Sequence, residues 1–422
     1  MTIGRRAKET IKFVDEYCEY YRDLFEDVRS YEAFKLLHIG LLSELPRKTI
    51  PAIARAVGET DGQALHHFVQ DGQWSVTALR ERRLGLTKQA VGERSITVCV
   101  DETGDRKKGS STDYVARQYI GNVGKIDNGM VSVNAYGVLD QVTFPLLFQV
   151  FKPEKRLKAE DHYQTKPQLA VDLVRAVRQA GFAIELVLAD SLYGESSTFV
   201  EALLELELPF VVAIRDNHGV WLGPDQHIRY TRWRPFQRTF SDGRQQQRYL
   251  REIIFGQRDS IRYYHLTTDP LTLPEATTCL VMTNLKGNLL ARLGDQYGLR
   301  TWIEYGFKHS KNELGWADYR LTTYPAIERW WELVFSAYLL VSLQHPALQA
   351  SPPILTPLAS SAVTRHPRWR PRGGWKHTLN NLRLLIQPFL ALCFTLSWLT
   401  VFSIPALALN LQRLVACING CT

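Results

Sequence analysis

The 422-residue chain has no low-complexity tract and no repeat of fixed period, which excludes solenoid, collagen-like and largely disordered architectures. It is short of cysteine. Cys18, Cys99, Cys279, Cys393, Cys417 and Cys421 form no CxxC pair and have no histidines at zinc spacing, so a zinc module or a disulfide scaffold is not expected; the pattern reads as reduced thiols in a cytosolic protein. The N-terminus MTIGRRAKETIKF lacks the apolar stretch of a signal peptide, so export is not expected. Charge is missing altogether from Pro388 to Leu409, a run about long enough to span a bilayer. Pro388, Ser397, Ser403 and Pro405 interrupt it and no second such run exists, so a buried C-terminal helix is expected rather than a membrane span. Acidic residues are the minority, 43 against 51 Lys and Arg, and the net charge of +8 favours a polyanionic partner without requiring one.

What is present is the composition of an ordinary globular protein, 45% hydrophobic and 22% charged, at a length that suggests two to four compact units. Apolar positions at helical spacing run from residue 8 to about 44, and the segment KTIPAIARAVGETDGQALHHFVQ outlines two short helices turning at Gly58, the second starting after Thr60 or Asp61. This is the outline of a helix-turn-helix or, equally, of a plain helical hairpin. A helical domain over 1–93, read as DNA-binding, is the expectation. After Gly92 the pattern turns extended: SITVCV is a β-branched run suited to a strand buried on both faces. Strands are expected at 131–138, 144–151, 183–189 and 209–214, with helices at 166–180 and 197–206, which is the element order of a ribonuclease-H-like mixed sheet over 94–216. Residues 217–286 alternate and are rich in turns, as for a β-rich insertion. Helical character over 287–343 would complete the α/β core. A Pro-rich stretch and a basic one, RHPRWRPRGGWKH, then read as a linker within a C-terminal region of 344–422 that becomes helical, and the basic stretch resembles either a phosphate-tracking or a disordered tail.

Two carboxylates fall at the ends of expected core strands, Asp101 after SITVCV and Asp190 after ELVLA. An acid buried there costs desolvation energy and implies a counter-cation or a metal, although a single strand-end Asp more often only caps the next helix. A third acid is offered by YGLRTWIEYGFKHSKNELGW. There Tyr297, Arg300, Glu304 and Lys311 lie 3, 4 and 7 residues apart, close to whole helical turns, so they share one face. Glu313 falls about 180° away from Glu304 at 100° per residue and is the poorer choice. Taken alone, this spacing also fits ordinary salt-bridge pairs on a solvated helix.

Tyr297, Arg300, Glu304 and Lys311 match at all four positions the Tyr-x2-Arg-x3-Glu-x6-Lys signature of bacterial insertion-sequence DDE transposases, in the branch with a β-rich insertion between the second Asp and the Glu. The segment DETGDRKKGSSTDYVARQYIGNVGKIDNG resembles that branch's first-Asp motif, and LADSLYGE its Asp-x-x-Tyr-Gly. The resemblance covers roughly residues 95–345. It implies phosphoryl transfer by Asp101, Asp190 and Glu304, converging on a pair of Mg²⁺ or Mn²⁺ ions about 3.5–4 Å apart. Oxygen-only ligands suit such hard ions and argue against zinc. It further implies that Arg300, Lys311 and Tyr297 meet phosphate, that the partners are double-stranded transposon ends and target DNA, and that paired protomers act together as a homodimer on DNA in the bacterial cytosol, at the nucleoid and not at a membrane. A non-cutting DNA-binding descendant, or a ribonuclease-H-like nuclease without strand transfer, are the other readings.

Other residues carry less. Lys107 and Lys108 form a basic loop expected next to Asp101, in reach of the DNA backbone. Glu102 and Asp105 are set outside the strand end, Asp127, Asp140 and Asp161 in turns, Trp302 and Trp316 more readily in the core than against a base, and His66, His67 and His162 lack ligand spacing.

Overall fold

The computed structural model describes residues 5–421 apart from 122, 141, 241–243, 350–351, 359–361 and 372. Five helices come first: α1 Lys12–Glu19, α2 Val28–Leu42, α3 Ile50–Ala56, α4 Gln63–Gln70 and α5 Val76–Val91. Thr49 caps α3 by accepting from Ala52 N, and the chain turns at Gly58, whose φ of +81° suits a residue without Cβ. Asp61 accepts from Gln63 N at 2.8 Å where α4 begins, and α4 buries Leu65, Phe68 and Val69 while Ala64, His66 and His67 face outward.

The sheet follows: β1 Ile96–Arg106, β2 Ala116–Ile120, β3 Lys125–Leu139, β4 Val142–Val150, then α6 Lys166–Gln179, β5 Ile184–Ala189, α7 Ser191–Gly194, α8 Ser197–Glu205 and β6 Phe210–Ile214. Next come β7 Ile228–Tyr230, β8 Arg234–Thr239, β9 Gln245–Phe255, β10 Arg262–Thr267 and β11 Cys279–Thr283, then the helices α9 Leu293–Gly298 and α10 Trp302–Lys308. The last helices are α11 Tyr324–Leu343, α12 Trp375–Leu399 and α13 Pro405–Cys421. The chain divides into two compact units, one of residues 1–92, 110–113 and 307–422, the other of residues 93–109 and 114–306.

In the second unit the central strands lie in the order β4-β3-β1-β5-β6. β1–β3 and β3–β4 are antiparallel, while β1–β5 and β5–β6 are parallel, which is the ribonuclease-H-like mixed sheet. The β-rich segment is not a separate layer. β11 pairs antiparallel with β6, and β10, β9 and β7 continue outward, so one sheet of 11 strands runs through core and insertion. β2 and the four-residue α7 were not expected, because ARQYI is short and half polar and one helical turn leaves no periodicity to read.

In the helical unit α11 is the core: sixteen of its twenty residues are buried. Tyr17 and His38 both reach Ser336 on it, at 3.0 and 2.9 Å. The C-terminal expectations need correcting. Residues 388–409 are not one buried helix; they include the end of α12, a break at 400–404 and the start of α13, and Phe394, Trp398, Val401, Phe402 and Ile404 are exposed. Among the described residues α12 is the one helix long and apolar enough to cross a membrane, with its first half buried through Leu379, Leu382, Leu385 and Ile386. The stretch 344–377 is also more than a linker. Trp375 is buried, stacks on His309 at 4.5 Å and donates to Ser342 Oγ at 3.1 Å.

Candidate active site

Asp101 does not end its strand. β1 runs on to Arg106 because one of its edges stays paired with β3 as far as Arg106↔Gly129. What ends is the neighbour on the other edge: β1 pairs with β5 through Cys99↔Leu188, and β5 stops at Ala189. Carrying that parallel register two residues forward sets Asp101 beside Asp190, with backbones about 5 Å apart. The two acids therefore meet where the parallel part of the sheet gives out and its strand ends open a crevice.

Asp190 also caps α7, accepting from Leu192 N at 2.9 Å. The cap is short for a reason: a Cβ on Gly194 would run into the Ala213 carbonyl oxygen, so only glycine lets this turn lie against β6. Tyr193 in the same turn is fully buried and donates its hydroxyl to Glu102 Oε2 at 3.0 Å, while Lys166 Nζ stands 3.0 Å from Glu102 Oε1. Glu102 was expected outside the strand; it lies within it. The adjacent Asp-Glu pair was the available signal, and its weight depended on knowing that β1 continues.

The third acid arrives on a helical run of mixed pitch. α9 is followed by a 3₁₀ turn, Leu299–Thr301, then by α10, then by a π-helical turn, His309–Glu313. The expectation of one regular helix face from Tyr297 to Lys311 is thus corrected, since 3₁₀ and π turns rotate by other than 100° per residue. The inner part of the signature survives. Arg300 Nη1 lies 3.6 Å from Asp101 Oδ2 and its Nη2 3.5 Å from Glu304 Oε1, so one guanidinium bridges the sheet acid and the helix acid. Tyr297 hydrogen-bonds with the same Arg300. Lys311 stands in the π turn and Glu313 ends it, paired with Lys376 and, at 3.0 Å, with Arg383.

Lys107 and Lys108 are not next to Asp101. They follow β1 six and seven residues on, about 20 Å away at the rise of an extended chain. Trp302 and Trp316 are both buried, Trp316 stacked on Trp331 at 4.4 Å.

Burial pushes the Asp101 carboxyl well above the usual carboxylate range and Asp190 pushes it further, against the pull of Arg300. Burial and Glu102 raise Asp190, again against Arg300. Burial also opposes charge on Arg300, but Tyr297, Asp101, Glu304 and Asp190 outweigh it and hold the guanidinium protonated. Among the described residues the four acids Asp101, Asp190, Glu102 and Glu304 outnumber the two cations at ion-pair distance from them, Arg300 and Lys166. Oxygen donors deprived of charge in this way fit a hard divalent cation. Among the described residues no three acids crowd closely enough to cage an ion. Asp101 and Asp190 make the pair, and Glu304, with a side chain 47% exposed, joins them through Arg300 rather than directly.

The family described as DDE superfamily endonuclease matches residues 23–260, more than half of the chain. A probable transposase for the insertion sequence element IS701 of Microchaete diplosiphon is 55% identical over 329 residues, covering 78% of this chain and 87% of that protein. Among solved structures, a cryo-EM piggyBac transposase synaptic complex with hairpin DNA aligns over 97% of this chain and 81% of its own at 9% identity, with a TM-score of 0.47. With that family match and a relative of this identity over most of both chains, the chain belongs to the DDE endonuclease superfamily, among the bacterial insertion-sequence transposases.

Proposed function

We propose that the protein binds the terminal inverted repeats of its insertion sequence, cuts the DNA there and joins the freed 3′-hydroxyl to target DNA, with Asp101, Asp190 and Glu304 as the catalytic acids. The observation that carries this is the Arg300 bridge, which ties an acid in β1 to an acid in α10 while β5 delivers a second aspartate beside the first. A ribonuclease-H-like core with acids at these three places is built for phosphoryl transfer.

Asp101 and Asp190, joined by Glu304, would hold two Mg²⁺ or Mn²⁺ ions, which when bound supply Lewis-acid stabilisation of the attacking and leaving oxygens. The chain's own groups do the rest. Asp101 and Asp190 are fixed by backbone hydrogen bonds from Glu102 N and Leu192 N at 2.8 and 2.9 Å, so their carboxylates need little reorganisation. Arg300 would offer a planar donor set to the phosphate, and the Tyr297 phenol, kept neutral because burial raises it, would donate a hydrogen bond without losing its proton. Glu102, held by Tyr193 and Lys166, positions the aspartates. Lys311, in the π turn, is assigned to DNA phosphate. The N-terminal helices, with the outward face of α4, are assigned to repeat recognition, and a homodimer to the joint cutting of two ends, on nucleoid DNA in the cytosol.

Cleavage of a labelled duplex carrying the element's terminal repeat tests this, with Mg²⁺ or EDTA. Metal-dependent nicking at the repeat boundary that disappears in Asp101→Ala, Asp190→Ala and Glu304→Ala, with binding retained, is expected. Nicking that survives in Glu304→Ala would move the third acid elsewhere, and a wild type that binds but never cuts would leave a DNA-binding protein only.

A further inference from the structure

The insertion brings more than strands to the core sheet. In the β8–β9 ladder Arg238 pairs with Gln246 and Phe236 with Arg248, so Arg238 and Arg248 stand on the same face two residues apart in register. That face meets the α9–α10 run. The Arg238 side chain passes over Gly298, where a Cβ would lie 3.4 Å from its Nε, and its Nη2 donates to Thr301 Oγ1 at 2.9 Å, in the residue after Arg300. Its guanidinium also lies 4.8 Å from the Phe240 ring centroid.

Three arginines are thus gathered around one spot: all of them, Arg238, Arg248 and Arg300, act on the Cys279 thiol, pulling down a group that burial pushes up. Among the described residues Arg300 has acids at ion-pair distance, whereas Arg238 and Arg248 have none. Arg248 makes its side-chain hydrogen bonds to Gln246 Oε1, at 3.1 and 3.2 Å, a neutral partner. Arg238 Nε is buried without any hydrogen-bond partner. Crowding half-buried guanidiniums while leaving a buried N–H unsatisfied costs free energy, and an anion is the ligand that would offset it.

We propose that Arg238 and Arg248, carried in by the insertion, form with Arg300 a phosphate-binding cradle beside the catalytic acids that grips a DNA backbone phosphate next to the one being cut. The proposal rests on the DNA-cutting reading above. It makes the insertion part of the substrate site: β8 and β9 hold the strand in register while the sheet acids act on the neighbouring phosphodiester. Arg238 and Arg248 are positioning residues, since they touch the substrate's flank and not the reacting atoms.

The test uses the full chain and a fluorescent duplex carrying the terminal repeat, with Arg238→Lys, Arg248→Gln and the double variant. The double variant is expected to weaken binding at least tenfold and to lower the slope of log affinity against log salt by about one, for the one phosphate no longer neutralised. A series of duplexes with a single neutral methylphosphonate, stepped along the strand near the cut, supplies the readout that a merely structural role would not move. One position should cost the wild type affinity and cleavage and cost the double variant nothing further. Thermal unfolding at the wild-type temperature shows that the variants are folded, and Arg238→Lys should retain more binding than Arg248→Gln does. If the wild type binds and cuts but the folded double variant has the same salt slope and the same methylphosphonate profile, the cradle is wrong and the DNA-cutting reading stands. If the wild type binds and cuts no duplex, that reading fails and takes the cradle with it.

Discussion

Glu332 in the helical unit and Asp101 in the sheet unit are both buried acids, and they are treated in opposite ways. Glu332 has no exposed surface and is met by Arg83, itself fully buried, and by Arg80 at 3.2 Å, with Arg80 also holding Glu328 at 2.7 Å. Two cations answer two acids. Around Asp101 the count is unmatched: the four acids Asp101, Asp190, Glu102 and Glu304 have two cations, Arg300 and Lys166, at ion-pair distance among the described residues, and the two aspartates are raised by burial and by their acidic neighbours. A charge-matched network buried inside helices sets structure, whereas a carboxylate pair left short of cations stores electrostatic energy that a bound cation can release. The contrast separates an internally paired acid from one left short of cations more cleanly than burial does.

The largest effect expected from this contrast is on chemistry. Asp101→Ala should lower cleavage of the terminal-repeat duplex by on the order of 10³ or more while leaving the melting temperature of the metal-free protein unchanged or higher. A variant that melts early would put Asp101 in the structural class with Glu332. The largest effect on stability belongs to the other region. Glu332→Ala strands the buried Arg83 and should cost about 3–5 kcal/mol, read as a lower midpoint in urea. A change under about 1 kcal/mol would mean that the network is not the internal pairing described here.

The third expectation concerns pH. The folded state holds Asp101 and Asp190 above their unfolded values near 3.9, so it binds protons more tightly than the unfolded chain. Their contribution to stability is complete below about pH 4 and is lost as pH rises through the folded values. Asp101→Asn should therefore melt higher than wild type at pH 7 in EDTA, by about 2–4 °C for each kcal/mol in a unit of this size, and the difference should vanish as pH approaches 4. Added Mg²⁺ should stabilise wild type, by about 2.7 kcal/mol at a hundredfold excess over Kd, and the variant less. A variant that gains nothing in EDTA would show that the aspartates are not under load. The smallest effect is expected at the far end of β1. Lys107→Ala with Lys108→Ala should leave nicking unchanged at saturating DNA and lower the salt slope of binding by no more than about one to two, because these residues lie about 20 Å along the strand from Asp101.

The three candidate acids and the central strands are legible because each leaves a local mark. SITVCV and AIELVLA are apolar runs of strand length, and an acid directly after such a run stands out. The Tyr297-to-Lys311 spacing was equally visible, but its geometry was not, since a 3₁₀ turn before Glu304 and a π turn after it leave the residue order untouched while altering the rotation. The place of Glu102 is hidden for a related reason: whether a strand stops at residue 100 or continues to 106 depends on its partner β3, and no local signal reports a partner. The exposure of the apolar C-terminus is not legible in the sequence because hydropathy records what a segment is made of and not what lies against it.

Sequence alone determined the chemistry available to this protein, the order of its central strands and helices and the three candidate carboxylates, because composition and periodicity act over a few residues at a time. Only the tertiary structure decided that β5 stops where β1 goes on, that Arg300 stands between Asp101 and Glu304, and that the insertion extends the core sheet to bring Arg238 and Arg248 to the same place. Those outcomes depend on pairing between segments up to about two hundred residues apart, where register and burial, rather than local preference, set which charges meet.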